Sequence, residues 1–240
     1  MISPKNKEVL TYEDNPNLII PLEFSGVKAM SFGFVAPNKR ALMRGPIVSQ
    51  VVTSLIRDTD WGDLDYLVLD MPPGTGDIQI SLAQKLSVSG AVIVSTPQQV
   101  ALIDAKKGIE MFSKVGIPVI GMVENMATHI CSNCGAEESI FGAHGTQAMA
   151  DEYGIPILAS LPLDARIRED VDQGIPTVAA DPTGALSSAY ITLGPQVAAH
   201  LWLGNRQADA PPAIIMMEDR YFVVLVQEFD YILSFVWCYG

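Results

Sequence analysis

The sequence predicts an α/β fold: a mostly parallel sheet flanked by helices. Three observations carry this expectation. Apolar runs at Tyr66–Leu69, Ala91–Thr96, Val119–Val123 and Ile157–Leu161 have the length and continuity of strands buried in a parallel sheet. Each run stops at a turn signal: Asp70 before Pro72-Pro73-Gly74, then Pro97, Glu124-Asn125 and Pro162. Helical patterns fill the intervals, and a chain that alternates strand and helix builds crossovers onto a parallel sheet.

Residues 1–28 are polar and rich in Pro and Asn, with a short apolar piece at Leu18–Leu22. Met30–Val35 is expected as a strand and Pro37-Asn38-Lys39-Arg40 as a turn. Pro46 suits the first position of a helix, because its missing N–H has no partner there anyway. Ile47, Val51 and Leu55, with Val48 and Val52 beside them, then fall on one face, and the helix ends near Asp58–Trp61. Tyr66–Met71 is a strand, and Ile78–Leu86 a helix with Asp77 as its N-cap. After the Ala91–Thr96 strand, Ala101–Val115 is a helix that turns Leu102, Ala105, Ile109 and Phe112 inward. His129–Gly145 has little periodicity and many Cys, Gly and Ser, so it is expected as a functional loop or small subdomain. Thr146–Tyr153, Asp164–Gln173 and Pro182–Leu203 are expected helices, and Gln207–Pro212 a linker. The tail from Met216 to Gly240 has no caps and no fixed place in the alternation. An extra edge strand, a partner-binding segment and a foreign C-terminus all fit it. The scattered methionines read as core filler.

Composition narrows the function classes. Of 240 residues, 49% are hydrophobic, enough for a sizeable core. The net charge of −12 argues against nucleic acid or an anionic membrane surface as the main partner. Three cysteines make no disulfide framework and suit a reducing cytoplasm. Met1–Lys7 leads into polar sequence without the apolar centre of a signal peptide. The apolar stretch Tyr221–Trp237 contains Gln227, Glu228 and Asp230, which are costly in a bilayer, so no membrane partner is expected.

The stretch Tyr66–Asp77, YLVLDMPPGTGD, places a carboxylate at the end of a strand beside a glycine turn, where α/β proteins bind ligands. In P-loop NTPases an acid so placed holds Mg²⁺ and the glycine loop senses the γ-phosphate. A strand end of Asp with a Pro-Gly turn is also a common structural feature. Asn125, ending a strand, sits where an amide can read a base edge or simply form a turn. Asp164 reads first as the N-cap of the helix that follows, and Asp104 with Lys106 and Lys107 as a solvated helix face.

Cys131-Ser132-Asn133-Cys134-Gly135 is a CxxC with a glycine after it. Two thiolates at this spacing ligate one soft metal centre together, but a tetrahedral site needs four ligands. Two copies meeting on a two-fold axis supply four thiolates. Three readings stand at this point: an iron–sulfur or zinc site shared between subunits, a thioredoxin-like redox pair, and inert or structural thiols. The redox reading is weakened because the motif does not open a helix after a strand. His129 and His144 are the nearby histidines that would complete a zinc site; either can also be a solvated loop residue.

VLDMPPGTGDIQ, STPQQVALIDAKKG, GMVENM, HICSNCG with Ile140-Phe141-Gly142, and LPLDARIREDVDQGIPTV, in this order from about Val27 to Leu203, resemble the Mrp/Nbp-type iron–sulfur cluster carrier ATPases. These are P-loop NTPases of the MinD/ParA type. The resemblance implies that Asp70 holds Mg²⁺ through water and that Pro72, Pro73 and Gly74 form the γ-phosphate switch. It implies that Asn125 reads adenine, with Pro162 and Asp164 lining the base. Cys131 and Cys134 match the pair that bridges a [4Fe–4S] cluster across a homodimer, and the expected cofactors are that cluster, ATP and Mg²⁺. Cluster acceptors would be apo iron–sulfur proteins. The departure is that no Gly-Lys dipeptide occurs in the chain, so the phosphate-binding loop, its Lys and its Mg²⁺-binding hydroxyl are absent. The family's first strand and P-loop helix fall upstream of Met1. The chain is therefore read as N-terminally truncated: residues 1–205 as the NTPase-like domain with the CxxC loop at 129–145, and 206–240 as an atypical tail. That leaves ATPase activity open. A metal-binding dimerisation module without ATPase activity and a ParA/MinD-like positioning ATPase are the alternatives.

Overall fold

The computed structural model describes residues 9–35, 45–71, 80, 86–207, 222–228 and 237–239. The chain opens with short strands, β1 (Leu10–Thr11), β2 (Ile19–Ile20), β3 (Leu22–Phe24) and β4 (Val27–Ala29). Then come helices α1 (Phe32–Val35) and α2 (Gly45–Arg57) and strand β5 (Tyr66–Met71). Strand β6 (Gly90–Ser95), helix α3 (Gln99–Lys114) and strand β7 (Val119–Glu124) follow. A small hairpin, β8 (His129–Ile130) and β9 (Glu137–Glu138), precedes helix α4 (Gly145–Tyr153) and strand β10 (Ile157–Ser160). Helices α5 (Ala165–Asp172), α6 (Thr177–Ala180) and α7 (Ala185–Gln207) lead to strands β11 (Phe222–Glu228) and β12 (Trp237–Tyr239).

The main sheet has eight strands in the order β10-β7-β6-β11-β5-β12-β4-β3. The first five pair in parallel; β12, β4 and β3 add antiparallel neighbours on the β5 side. The α/β class and the mostly parallel sheet predicted from the sequence are what the chain forms. Helices cover both faces. Ala91 and Ile93 of β6, with Leu67, Leu69 and Met71 of β5, face one core shared with Ile56, Leu102, Ala105, Ile109 and Phe112. Val92 and Val94 face the other core, closed by Leu158, Leu161 and Leu201. This is the period-2 alternation of a strand with helices on either side. Strand β6 is buried throughout, whereas β5 alternates, with Tyr66, Val68 and Asp70 only half-buried. At Gly121 a side chain would collide with Leu158: an added Cβ lies 2.6 Å from its Cγ, so β7 and β10 approach only because this position is glycine.

Strand β11 comes from the tail, yet it lies between β5 and β6. Val224 pairs with Val68 on one side and with Gly90 on the other. It is thus a central strand rather than an edge strand. The tail's apolar run, which had no place in the alternation, completes the parallel sheet.

Met30–Val35 is a correction. The strand is β4, which ends at Ala29, and Phe32–Val35 is a helical turn. Ser31 explains it: its Oγ accepts from the Gly33 N–H at 3.3 Å and its carbonyl from Phe34 N–H at 3.0 Å, so the chain is capped into a turn. The short helix α6 was not foreseen. The expected turn at Pro37–Arg40, the switch residues Pro72, Pro73 and Gly74, most of the Ile78–Leu86 helix and all of the expected Gln207–Pro212 linker but Gln207, which closes α7, lie outside the described residues. No helix among the described residues is long and apolar enough to cross a membrane.

Candidate functional site

Parallel strands bring their carboxyl ends to one edge of the sheet, and the predicted residues are placed by that rule. Asp70 is the penultimate residue of β5, half-buried, with Val226 of β11 as its partner in register. Asn125 follows β7, and Pro162 and Asp164 follow the neighbouring β10. Asn125 and Pro162 are therefore brought side by side. Three strand spacings, roughly 14 Å, separate β5 from β7 across the sheet, and in register Asp70 is level with Val226, Val92 and Gly121, four residues short of Asn125 along the strands. Gly74 lies outside the described residues.

The β7 and β10 ends do not separate where the sheet stops. Leu161 N–H donates to Glu124 O, Ala127 N–H to Leu161 O and Leu163 N–H to Thr128 O, each at 2.8 Å. This ladder carries residues 124–130 alongside 160–164. Within it Asn125 N–H donates to Ser95 O at 2.8 Å, and its side-chain Oδ1 accepts from Met126 N–H at 3.0 Å. Met126 accordingly sits in the left-handed region, at φ 54°. The Glu124 carboxylate accepts from the Ser160 hydroxyl at 3.1 Å, a cross-strand bond that ties the two ends.

Asp164 caps α5 as its sequence position predicts. Its Oδ1 accepts from Arg166 N–H at 2.8 Å and from Arg166 Nε at 3.3 Å. Burial works against its charge, but these bonds, the guanidinium and nearby His129 outweigh it and hold the carboxyl below the usual range. The sign follows from linkage: the stabilisation is full above the unfolded carboxylate value of about 3.9 and is lost as pH falls through the lower folded value. Asp164→Ala is expected to cost about 1 kcal/mol at neutral pH, the usual worth of such a cap. Urea unfolding at pH 7 and at successively lower pH checks this; the gap between parent and variant should narrow as the pH falls through the lowered folded value.

The thiols sit at the tip of the β8–β9 hairpin, where His129 pairs with Glu138 and Ile130 with Glu137. Cys131 N–H donates to Ala136 O at 2.9 Å and Gly135 N–H back to Cys131 O at 2.8 Å. That tight return needs Gly135 at φ 73°, a conformation in which a Cβ is strained. The backbone N–H of Cys134, then that of Asn133, point at the Cys131 sulfur, and the Cys134 thiol adds a further hydrogen bond. Together they hold the Cys131 thiol below its ordinary value, favouring the thiolate that binds metal. Both cysteines are free; Cys134 is exposed and Cys131 partly so. The pair is thus convergent and open to a docking surface. Among the described residues, no group of three or more His, Cys, Asp and Glu side chains is placed to hold a metal ion. Two soft thiolates can hold a zinc or iron–sulfur centre only together with further ligands.

The family model of the NUBPL iron-transfer P-loop NTPases, within the ParA group, matches residues 1–198. The chain belongs to this family. Its NUBPL-type sequence is 55% identical over 172 residues to an iron-sulfur cluster carrier protein of Pseudomonas fragi, covering 71% of this chain and 60% of that one. It is 43% identical over 204 residues to the iron-sulfur cluster transfer protein NUBPL of Mus musculus, covering 82% of this chain and 64% of that one. The chain therefore spans under two thirds of the length of either relative. Among solved structures, an Archaeoglobus fulgidus nucleotide-binding protein in complex with ADP is similar at 32% identity and a TM-score of 0.58. That likeness covers 70% of this chain and 65% of the other.

In this NUBPL-type chain one residue takes a place that sequence reasoning did not give it. The sequence offers His129 as a zinc ligand or a solvated loop residue. Its Nδ1 donates to the carbonyl of Leu163 at 3.0 Å, and Nε2 is the ring nitrogen left to face a metal or solvent. The partner lies 34 residues on and is a backbone atom, so no side-chain pattern could have pointed to it. His144, the other candidate, is exposed in a left-handed conformation just before α4. Lys107 and Asp104 pair at 2.8 Å on the solvated face of α3, as expected.

Proposed function

We propose that this chain is an iron–sulfur cluster carrier. The observation that carries the reading is the solvent-facing Cys131–Cys134 pair with two backbone N–H groups aimed at one sulfur. The cluster is cargo: a [4Fe–4S] cluster gripped by four thiolates, two from each of two copies of the chain, in a reducing, cytoplasmic setting. The two-fold arrangement follows from the donor count, since a thiolate-bound cluster takes one sulfur per iron. Apo iron–sulfur proteins receive it. The names of the relatives support the class of cargo. The carboxyl edge supports a nucleotide as effector, with Asn125, Pro162 and Asp164 at the base and Asp70 toward the phosphates and Mg²⁺.

A second reading drops ATP hydrolysis and keeps the metal. It is favoured by β11, the central strand beside Asp70, because Phe229–Val236, which follow it in sequence, include no glycine to cradle a phosphate. A dimerising metal module would need only the hairpin. Anaerobic reconstitution with iron and sulfide, followed by visible absorbance and transfer to an apo-ferredoxin, tests the carrier reading. Broad absorbance and recovery of holo-ferredoxin are expected, and a chain that takes up zinc but never a transferable cluster overturns it. Phosphate release from MgATP by the same preparation separates the two readings, because only the first has it fall in Asp70→Ala.

A further inference from the structure

The thiol hairpin and the base-lining loop are built as one piece. Ala127 N–H to Leu161 O and Leu163 N–H to Thr128 O run the backbone of one along the other. The last rung is made by a side chain: His129 Nδ1 on Leu163 O at 3.0 Å, with Pro162 and Asp164 on either side of that carbonyl and Cys131 two residues beyond the ring. The geometry points to His129 as a positioning residue that couples nucleotide at the Asn125–Asp164 end to metal at Cys131 and Cys134. This rests on the proposed roles of those two sites and names the link between them.

The physical argument is short. The β8–β9 hairpin has two residues per strand and exposed tips, so its own pairing holds it weakly. Its orientation depends on what it leans on, and the hydrogen bond described beyond Thr128 is the one to the Leu163 carbonyl. A nucleotide against the Pro162–Asp164 loop bears on a segment tied to the hairpin by Leu163 N–H and by the His129 ring, so holding the loop holds the carbonyl, the imidazole and with them the approach of the two sulfurs. Ordering one site lowers the entropy cost of ordering the other, which makes binding at the two sites cooperative without a large movement. Linkage then requires the effect to be mutual. The bond is made by Nδ1, so His129→Asn, which keeps a donor there and lacks Nε2, separates the coupling from any direct contact of the ring with the metal.

The test is a binding cycle on the whole chain, reduced and handled without oxygen. A fluorescent MgADP analogue is titrated into metal-free protein and into protein loaded with Zn²⁺, which probes the thiolate pair. In the parent, zinc is expected to tighten ADP binding about five- to tenfold, and ADP to tighten zinc by the same factor. In His129→Gln, whose amide reaches the Nε2 position and leaves Leu163 O unbonded, both ratios should fall to within about twofold of one. In His129→Asn, whose Nδ2–H lies where Nδ1–H does, the parent ratio should return. A merely structural role would weaken both sites without changing the ratio. The inference is overturned if His129→Gln keeps the parent ratio, or if the parent binds ADP equally with and without zinc. If the parent binds no ADP in either state, the nucleotide reading itself falls and the inference with it.

Discussion

Alanine at both Cys131 and Cys134 is expected to reduce cluster loading to under about a tenth of the parent value, because it removes every thiolate the hairpin offers a cluster. The effect should be confined to the metal. The pair lies at an exposed tip, outside both hydrophobic cores, so the unfolding free energy should stay within about 0.5 kcal/mol of the parent, as for surface changes in general. Iron and sulfide analysis after anaerobic reconstitution, paired with a urea melt, reads both. Loading at the parent level in the double variant would show that the cluster is held elsewhere.

The second large effect concerns the sheet. Val224→Pro is expected to unfold the chain or come close to it. Val224 stands in the middle of β11, with a partner strand on each side. A proline there deletes a ladder donor and sets its ring against the neighbouring backbone, a defect of about 3 kcal/mol or more. Against a total stability of roughly 5–15 kcal/mol, that is a large share. Because β11 joins β5 to β6, the loss also opens two facing strand edges whose N–H and C=O groups then lack partners. Circular dichroism and a urea titration check it. A variant as stable as the parent would mean that β11 does not hold the sheet together.

These two predictions mark where the sequence was legible and where it was not. The strand cores at Val68, Ile93 and Met122 and the inward stripe Leu102, Ala105, Ile109 and Phe112 are local patterns. A run of apolar residues or a spacing of three and four dictates them whatever the rest of the chain does. The CxxC pair and the Asp164 cap were legible because thiol spacing and the first turn of a helix are chemistry among near neighbours; the β8–β9 pairing around the thiols was not, since His129–Gly145 shows no strand periodicity. Met30–Val35 failed because its apolar letters outweighed a single hydroxyl, Ser31, that turns the backbone. Position in the sheet is different in kind. The run Phe222–Glu228 reads as a strand, but which strands flank it depends on partners more than a hundred residues back. The His129 bond was hidden in the same way, since a carbonyl has no letter of its own.

The carrier account stands most directly on the number of chains per cluster. Native mass spectrometry of the anaerobically reconstituted chain measures it together with the metal content. The account predicts a dimer holding about four irons and four sulfides per two chains, lost together with its cluster in the Cys131→Ala/Cys134→Ala variant. A single chain carrying a complete cluster, or a dimer whose iron survives removal of both cysteines, would contradict it.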